Sequence, residues 1–165
     1  MSDKHKITIV GTGYVGMSMA VLLAQHNDVT ALDIDANRVD LINQRKSTVV
    51  DPEIEQYLDE KDLSLTATLD KEQAYAEAEF IVVATPTDYD PETNYFDTSS
   101  VESVIGDVLE YNKTAMIVIK STVPVSFTAS MKNKFHTEPA HSGAAGINRQ
   151  PEDAVRSQEY FIAAN

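Results

Sequence analysis

A glycine turn set between a strand and a helix governs how this chain folds. Lys6-Ile7-Thr8-Ile9-Val10 is a short β-branched run of the kind that forms a buried parallel strand. Gly11-Thr12-Gly13-Tyr14-Val15-Gly16 follows, and Met17 to Gln25 is an apolar run of good helix formers. A second strand, Val29 to Leu32, ends on Asp33, 22 residues after Gly11. Strand, glycine turn, helix, strand and acid in this order form a dinucleotide-binding fingerprint.

Each part has a physical task. Gly11 permits the tight turn, Gly13 lacks the Cβ that would hold a pyrophosphate off the backbone, and Gly16 lets the helix approach the sheet. Thr12, Tyr14 and Val15 complete the turn. The helix N-terminus presents unpaired N–H groups and a partial positive charge to phosphates. The Asp33 carboxylate accepts from adenosine ribose hydroxyls and repels a 2′-phosphate, which favours NAD over NADP. Arg38 fits either the adenosine side of such a ligand or an ordinary solvated helix face.

Composition narrows the function. The 165 residues carry a formal net charge of −13, which argues against nucleic acid or an anionic membrane as partner. An anionic dinucleotide must then be held by local dipoles against the global field. No apolar stretch approaches the 18 residues of a membrane span, and the opening Met-Ser-Asp-Lys-His-Lys lacks a secretion signal's apolar region. A cytoplasmic location is the expectation, with the oligomeric state open. His5, His26, His136 and His141 show no metal-ligand grouping, so no metal site is expected. The sequence contains no cysteine.

Further along, Asn37 to Lys46 and Asp51 to Leu58 read as helices, Leu63 to Ala67 as a strand and Asp70 to Ala78 as a helix. Phe80 to Ala84 and Ala115 to Ile119 are continuous apolar strands, Thr98 to Tyr111 and Ser126 to Phe135 helices, and Thr85 to Asp97 a polar loop. This alternation predicts an α/β fold with a doubly wound parallel sheet, Rossmann-like. Residues 1–138 are read as that domain and 139–165 as a divergent tail, a loop followed by a short helix from Pro151 to Ala164.

Three separated segments carry a resemblance: Ile81 to Asp90 with Thr85-Pro86-Thr87, Asn94 to Thr98, and Ile119 to Val125 with Ser121-Thr122-Val123-Pro124. With the glycine turn, they resemble the nucleotide-sugar dehydrogenase family, its short bacterial UDP-glucose 6-dehydrogenase branch in particular, from residue 4 to about 138. The resemblance implies oxidation of the sugar C6 alcohol to a carboxylate with two NAD. It also implies that Val15, Asp33, Arg38, Thr85, Thr87 and Thr122 contact NAD, with Thr122 near the catalytic water. Thr87 and Thr122 do lie just past strand carboxyl ends, where open parallel sheets place ligands; turn or cap chemistry is the alternative.

After Glu138 the resemblance stops. The family's last strand of the domain is expected to be missing or replaced, and its central helix, catalytic lysine and asparagine, cysteine nucleophile and UDP-binding domain have no counterpart. Aldehyde oxidation proceeds readily through a thiolate adduct, a route closed in a chain without cysteine. The expectation is a truncated UDP-glucose dehydrogenase that keeps its NAD-binding half and is inactive alone. A non-catalytic NAD-binding module, a dehydrogenase of another nucleotide sugar such as UDP-N-acetylmannosamine or GDP-mannose, and a misfolding relic with an exposed sheet edge are the alternatives.

Several features read as structural. Asp88, Asp90, Glu92 and Asn94 alternate like calcium ligands but lack that loop's glycine and closing glutamate, so a solvated loop is expected. Asn112-Lys113-Thr114 fits a glycosylation pattern incidentally. Glu102, Asp107 and Glu110 read as an exposed helix face. Tyr14 fits packing as well as ligand contact, and Lys120 beside Thr122 fits a phosphate contact or a plain strand exit.

Overall fold

The structure, a computed structural model, describes residues 4–137 and 161–163. In chain order the elements are β1 (Lys6–Val10), α1 (Tyr14–Leu23), β2 (Asp28–Leu32), α2 (Ala36–Asn43), α3 (Pro52–Glu60), β3 (Leu65–Thr68) and α4 (Lys71–Tyr75). Then follow β4 (Phe80–Val83), β5 (Asp88–Asp90), β6 (Tyr95–Asp97), α5 (Ser99–Tyr111), β7 (Met116–Ile119), α6 (Phe127–Thr137) and β8 (Phe161–Ala163). Six parallel strands form one sheet in the order β3-β2-β1-β4-β7-β8. The chain winds outward from β1 one way and from β4 the other, so the order reverses between those two strands, the crevice position of a doubly wound sheet.

Alternate residues of each strand face opposite layers. Ile7, Ile9, Val29, Ala31, Leu65, Ala67 and Val82 pack with buried residues of α1, α2 and α3. Val10, Leu32, Ile81, Val83, Ile117 and Ile119 pack with α4, α5 and α6. This two-sided burial is why the strands read as unbroken apolar runs rather than as alternating ones. Asp35, Asp51 and Asp70 start α2, α3 and α4 by accepting backbone N–H groups of the first turn.

Three expectations are corrected. Segment 85–97 is not a bare loop: β5 and β6 pair antiparallel, and the Tyr89 and Phe96 rings lie 5.3 Å apart across the ladder. Asp90 serves the hairpin's own turn, accepting from Glu92 N at 2.9 Å and Thr93 Oγ1 at 2.8 Å. Residues 161–163, expected in a helix, form β8, paired in parallel with β7. A sixth strand is therefore present, built from the tail, and it covers the backbone edge that β7 would otherwise leave open. The rest of the expected tail helix lies outside the described residues.

The third correction concerns α5. Glu102 and Asp107 are part-buried bridges rather than a solvated face: Glu102 accepts from Lys134 Nζ at 2.7 Å, and Asp107 from Lys71 Nζ at 2.6 Å. Only Glu110 is exposed. The Lys134 hydrogen bond, foremost, holds the Glu102 carboxyl below its ordinary pKa.

Asn112 is a latch at the opposite end of the sheet. Its buried amide donates to the carbonyls of Tyr75 at 2.7 Å and Ala78 at 2.8 Å. Its carbonyl accepts from Thr114 N, Thr114 Oγ1 and Ala115 N. With both amide hydrogens engaged, the side chain joins the ends of α4 and α5 to the entry of β7, and offers no glycan acceptor.

Candidate functional site

The glycine turn is built from backbone crowding. Gly11 has φ +91°, and a Cβ there would lie 2.7 Å from the carbonyl oxygen of Ala84. A Cβ on Gly16 would lie 1.8 Å from the carbonyl oxygen of Gly11 and 3.5 Å from Ile9. Gly16 thus packs against the turn itself first and the sheet second. A Cβ on Gly13 would meet nothing within 4 Å, because that side of the turn faces open crevice. Gly13 caps α1 with no side-chain hydrogen bond, and no acid stands in the helix's first turn. The leading N–H groups of α1 therefore have no intrahelical acceptor and no carboxylate competing for them.

Asp33, its side chain 9% exposed, is fixed beside the turn. Its Oδ2 accepts from Thr12 N at 2.9 Å and Thr12 Oγ1 at 2.5 Å, and its Oδ1 from Asp35 N at 3.0 Å. Arg38 Nη1 lies 3.8 Å from Oδ2, so the guanidinium balances the carboxylate. Thr12 is buried and turned to Asp33, which leaves the amides beyond it for a ligand. Thr48 Oγ1 donates to the Thr12 carbonyl at 2.5 Å, and Tyr14 Oη lies 3.5 Å from the Val50 carbonyl. The α2–α3 connection thereby braces the turn.

At the other end, two strand-end loops are tied together. Ser121 Oγ donates to the Thr85 carbonyl at 2.7 Å, and Thr87 Oγ1 donates to the Thr122 carbonyl at 2.8 Å. Ser100 Oγ, at the start of α5, lies 2.7 Å from the Pro86 carbonyl and 3.1 Å from Thr85 Oγ1. Thr122 is exposed.

One crevice of about 880 Å³ joins these parts along the carboxyl ends of the strands. That volume is within the range of about 300–1,000 Å³ usual for small-molecule and cofactor sites. Gly11, Thr12, Gly13, Tyr14, Val15, Asp33, Arg38, Thr85, Thr87 and Thr122, all singled out from sequence, line it, as does Lys120. Gly16 stands behind the turn, off the lining. Sequence reading missed Ser100 and Ser121, and a whole lobe beyond Asp33 formed by Ile34, Leu69, Lys71, Tyr75, Val104 and Asp107. Ile34, 97% exposed, follows the acid directly, and that adjacency is the signal in the sequence that could have pointed to the lobe. The residues fit a dinucleotide: an open glycine, uncapped amides, a fixed carboxylate and apolar walls share one crevice. Among the described residues no cluster of three or more His, Asp or Glu suited to a metal occurs, and no helix is long and apolar enough to cross a membrane.

Comparison with known proteins bears on this geometry. A family model described as UDP-glucose/GDP-mannose dehydrogenase family, NAD binding domain, matches residues 5–159 and so runs past Glu138. The chain is 51% identical over 133 residues to a UDP-glucose 6-dehydrogenase from Streptococcus pneumoniae, aligning 81% of this chain with 34% of that protein. To the UDP-glucose 6-dehydrogenase of Campylobacter jejuni it is 44% identical, aligning 79% of this chain with 34% of the other. An NDP-N-acetyl-D-galactosaminuronic acid dehydrogenase structure from Methanosarcina mazei shares the fold, with TM-score 0.73 at 20% identity, covering 98% of this chain and 34% of that one. The chain spans about a third of the length of the curated relatives it matches.

Proposed function

Because the chain belongs to the UDP-glucose/GDP-mannose dehydrogenase family, whose NAD-binding domain it constitutes, we propose that it is the cofactor-holding part of a UDP-glucose 6-dehydrogenase. The relatives at 51% and 44% identity support that substrate over other nucleotide sugars. The open side of Gly13 at the uncapped start of α1 carries the reading. There the amides of Tyr14 and Val15 hold the pyrophosphate. Asp33 accepts from the adenosine ribose hydroxyls while Arg38 balances its charge. Thr85, held by Ser100 and Ser121, and Thr87 and Thr122, joined through the Thr87 hydroxyl, border the nicotinamide end. When bound, NAD accepts hydride from the carbon being oxidised. The Thr122 hydroxyl orients the hydrolytic water.

Completion of the reaction needs groups this chain lacks, a sulfur nucleophile above all. The chain alone therefore binds cofactor without turnover. In this proposal residues 1–138 carry the cofactor site and the 139–165 extension adds β8 to the same sheet, and a cytoplasmic location goes with it. Calorimetric titration with NAD is the test: saturable one-to-one binding is expected, and its absence refutes the reading. Steady NADH formation from UDP-glucose by the purified chain would refute the predicted inactivity.

A further inference from the structure

The crevice lobe beyond Asp33 contains a charged pair that the sequence assigns to no task. Asp33 N lies 3.4 Å from the Thr68 carbonyl, so Leu69 and Lys71 follow β3 immediately beside Asp33 and Ile34. Lys71 Nζ donates to Asp107 Oδ2 at 2.6 Å, tying the start of α4 to the middle of α5. Lys71 is half-exposed and Asp107 only 24% exposed, and both line the crevice. Ile34, Leu69 and Val104 add apolar walls to the same lobe. Tyr75 backs it, its hydroxyl held protonated because burial, with the Asp107 charge behind it, raises its pKa.

A carboxylate in the wall of an anion-binding crevice, in a chain of net charge −13, calls for a reason. Lys71 neutralises it locally, yet among the described residues only Oδ2 of Asp107 is engaged, which leaves Oδ1 without a partner. The ammonium likewise has donors to spare beyond the one given to Asp107. An acceptor next to a donor, between apolar walls, complements the edge of an aminopurine, whose exocyclic amine donates and whose ring nitrogen accepts.

We propose that Asp107 and Lys71 read the base of the bound dinucleotide, Asp107 Oδ1 accepting from the 6-amino group and Lys71 donating to the adjacent ring nitrogen. The lobe thus selects adenine rather than any flat base. The inference rests on the dinucleotide reading of the crevice and adds base specificity to it. Hypoxanthine presents an oxygen where adenine presents the amine, so it sets an acceptor against a carboxylate.

The test compares NAD with nicotinamide hypoxanthine dinucleotide by calorimetry on the unaltered chain. NAD should bind more tightly by about ten-fold or more, as expected for losing one hydrogen bond to a charged group and leaving that group unpaired. Asp107→Ala should bring the two ligands within about two-fold of each other. Asp107→Asn, which can turn a donor to the base, should narrow or invert the preference; the ratio is unmoved by a purely structural role of the Lys71 pair. If the unaltered chain binds NAD but holds the hypoxanthine analogue equally well, base reading is refuted and the cofactor site stands. If neither dinucleotide binds, the cofactor reading itself fails.

Discussion

Alanine placed in turn at Gly11, Gly13 and Gly16 should give three different proteins, although all three belong to one motif. At Gly16 the new Cβ would stand 1.8 Å from the Gly11 carbonyl oxygen and 2.9 Å from its carbon, both backbone atoms of a tight turn. Overpacking of this kind costs about 1–3 kcal/mol and occasionally more, and a backbone clash this deep puts Gly16→Ala at about 3 kcal/mol or above. At Gly11, φ +91° and the Ala84 carbonyl oxygen at 2.7 Å act together. The backbone conformation alone costs a Cβ-bearing residue about 1–2 kcal/mol, so Gly11→Ala also reaches about 3 kcal/mol with the clash added. For a chain of this size, each of these lowers the melting temperature by roughly 6–12 °C.

Gly13 is the informative contrast. Its φ of −75° and ψ of −164° suit alanine, and no atom lies within 4 Å of the added Cβ. The loss of a good N-cap residue and the reduced freedom of the unfolded chain nearly offset each other, so stability should change by less than about 1 kcal/mol. Binding should not survive equally well. The methyl projects into the space where the pyrophosphate approaches the amides. Losing one charge-assisted hydrogen bond, worth about 1.5–3 kcal/mol, weakens NAD by roughly ten- to a hundred-fold. Thermal melts and calorimetric NAD titrations of the three variants make the comparison. A Gly13→Ala protein that melts and binds NAD like the parent would refute the assignment of the pyrophosphate to this turn.

Asp33→Ala should weaken NAD by removing the ribose acceptor, and should narrow the preference over NADP because the 2′-phosphate no longer meets a carboxylate beside Arg38; paired titrations with the two cofactors check this. Asn112→Ala leaves the Tyr75 and Ala78 carbonyls without their donor, and at about 1–3 kcal/mol per stranded group should cost on the order of 3 kcal/mol in denaturant melts. Glu102 has its carboxyl pKa lowered by Lys134, so the native state favours the carboxylate; that contribution is present above the ordinary carboxyl range and is lost as pH falls through the lowered value. Glu102→Gln should therefore melt below the parent at pH 7, by the equivalent of up to about 1 kcal/mol, with the gap closing below about pH 4.5. A gap that does not shrink as the pH is lowered through the carboxyl range would show that the ion pair is not its source.

Much of the architecture was legible because parallel strands covered on both faces must be continuously apolar. Ile7 to Val10 and Ile81 to Val83 announce themselves for that reason, as does the glycine turn, whose conformation and crowding admit no side chain at Gly11 or Gly16. The candidate cofactor residues were legible for a related cause: turn, acid and strand-end threonines occupy fixed offsets from the elements that carry them. These are local demands, met within a few residues, and they leave their trace in residue type and spacing.

What the sequence left undecided involves partners distant along the chain. Phe161-Ile162-Ala163 has no periodicity long enough to report a strand, and only the open backbone edge of β7 makes it one. Asp107 looked like part of a solvated helix face, until the packing of α4 on α5 brought Lys71 to it across 36 residues. Thr12 reads as one more turn residue, and only the parallel register of β1 with β2 delivers Asp33 to its amide and hydroxyl. Burial of apolar surface acts on each segment separately and can be read from it, whereas a hydrogen bond between elements exists only once their register and crossing are set.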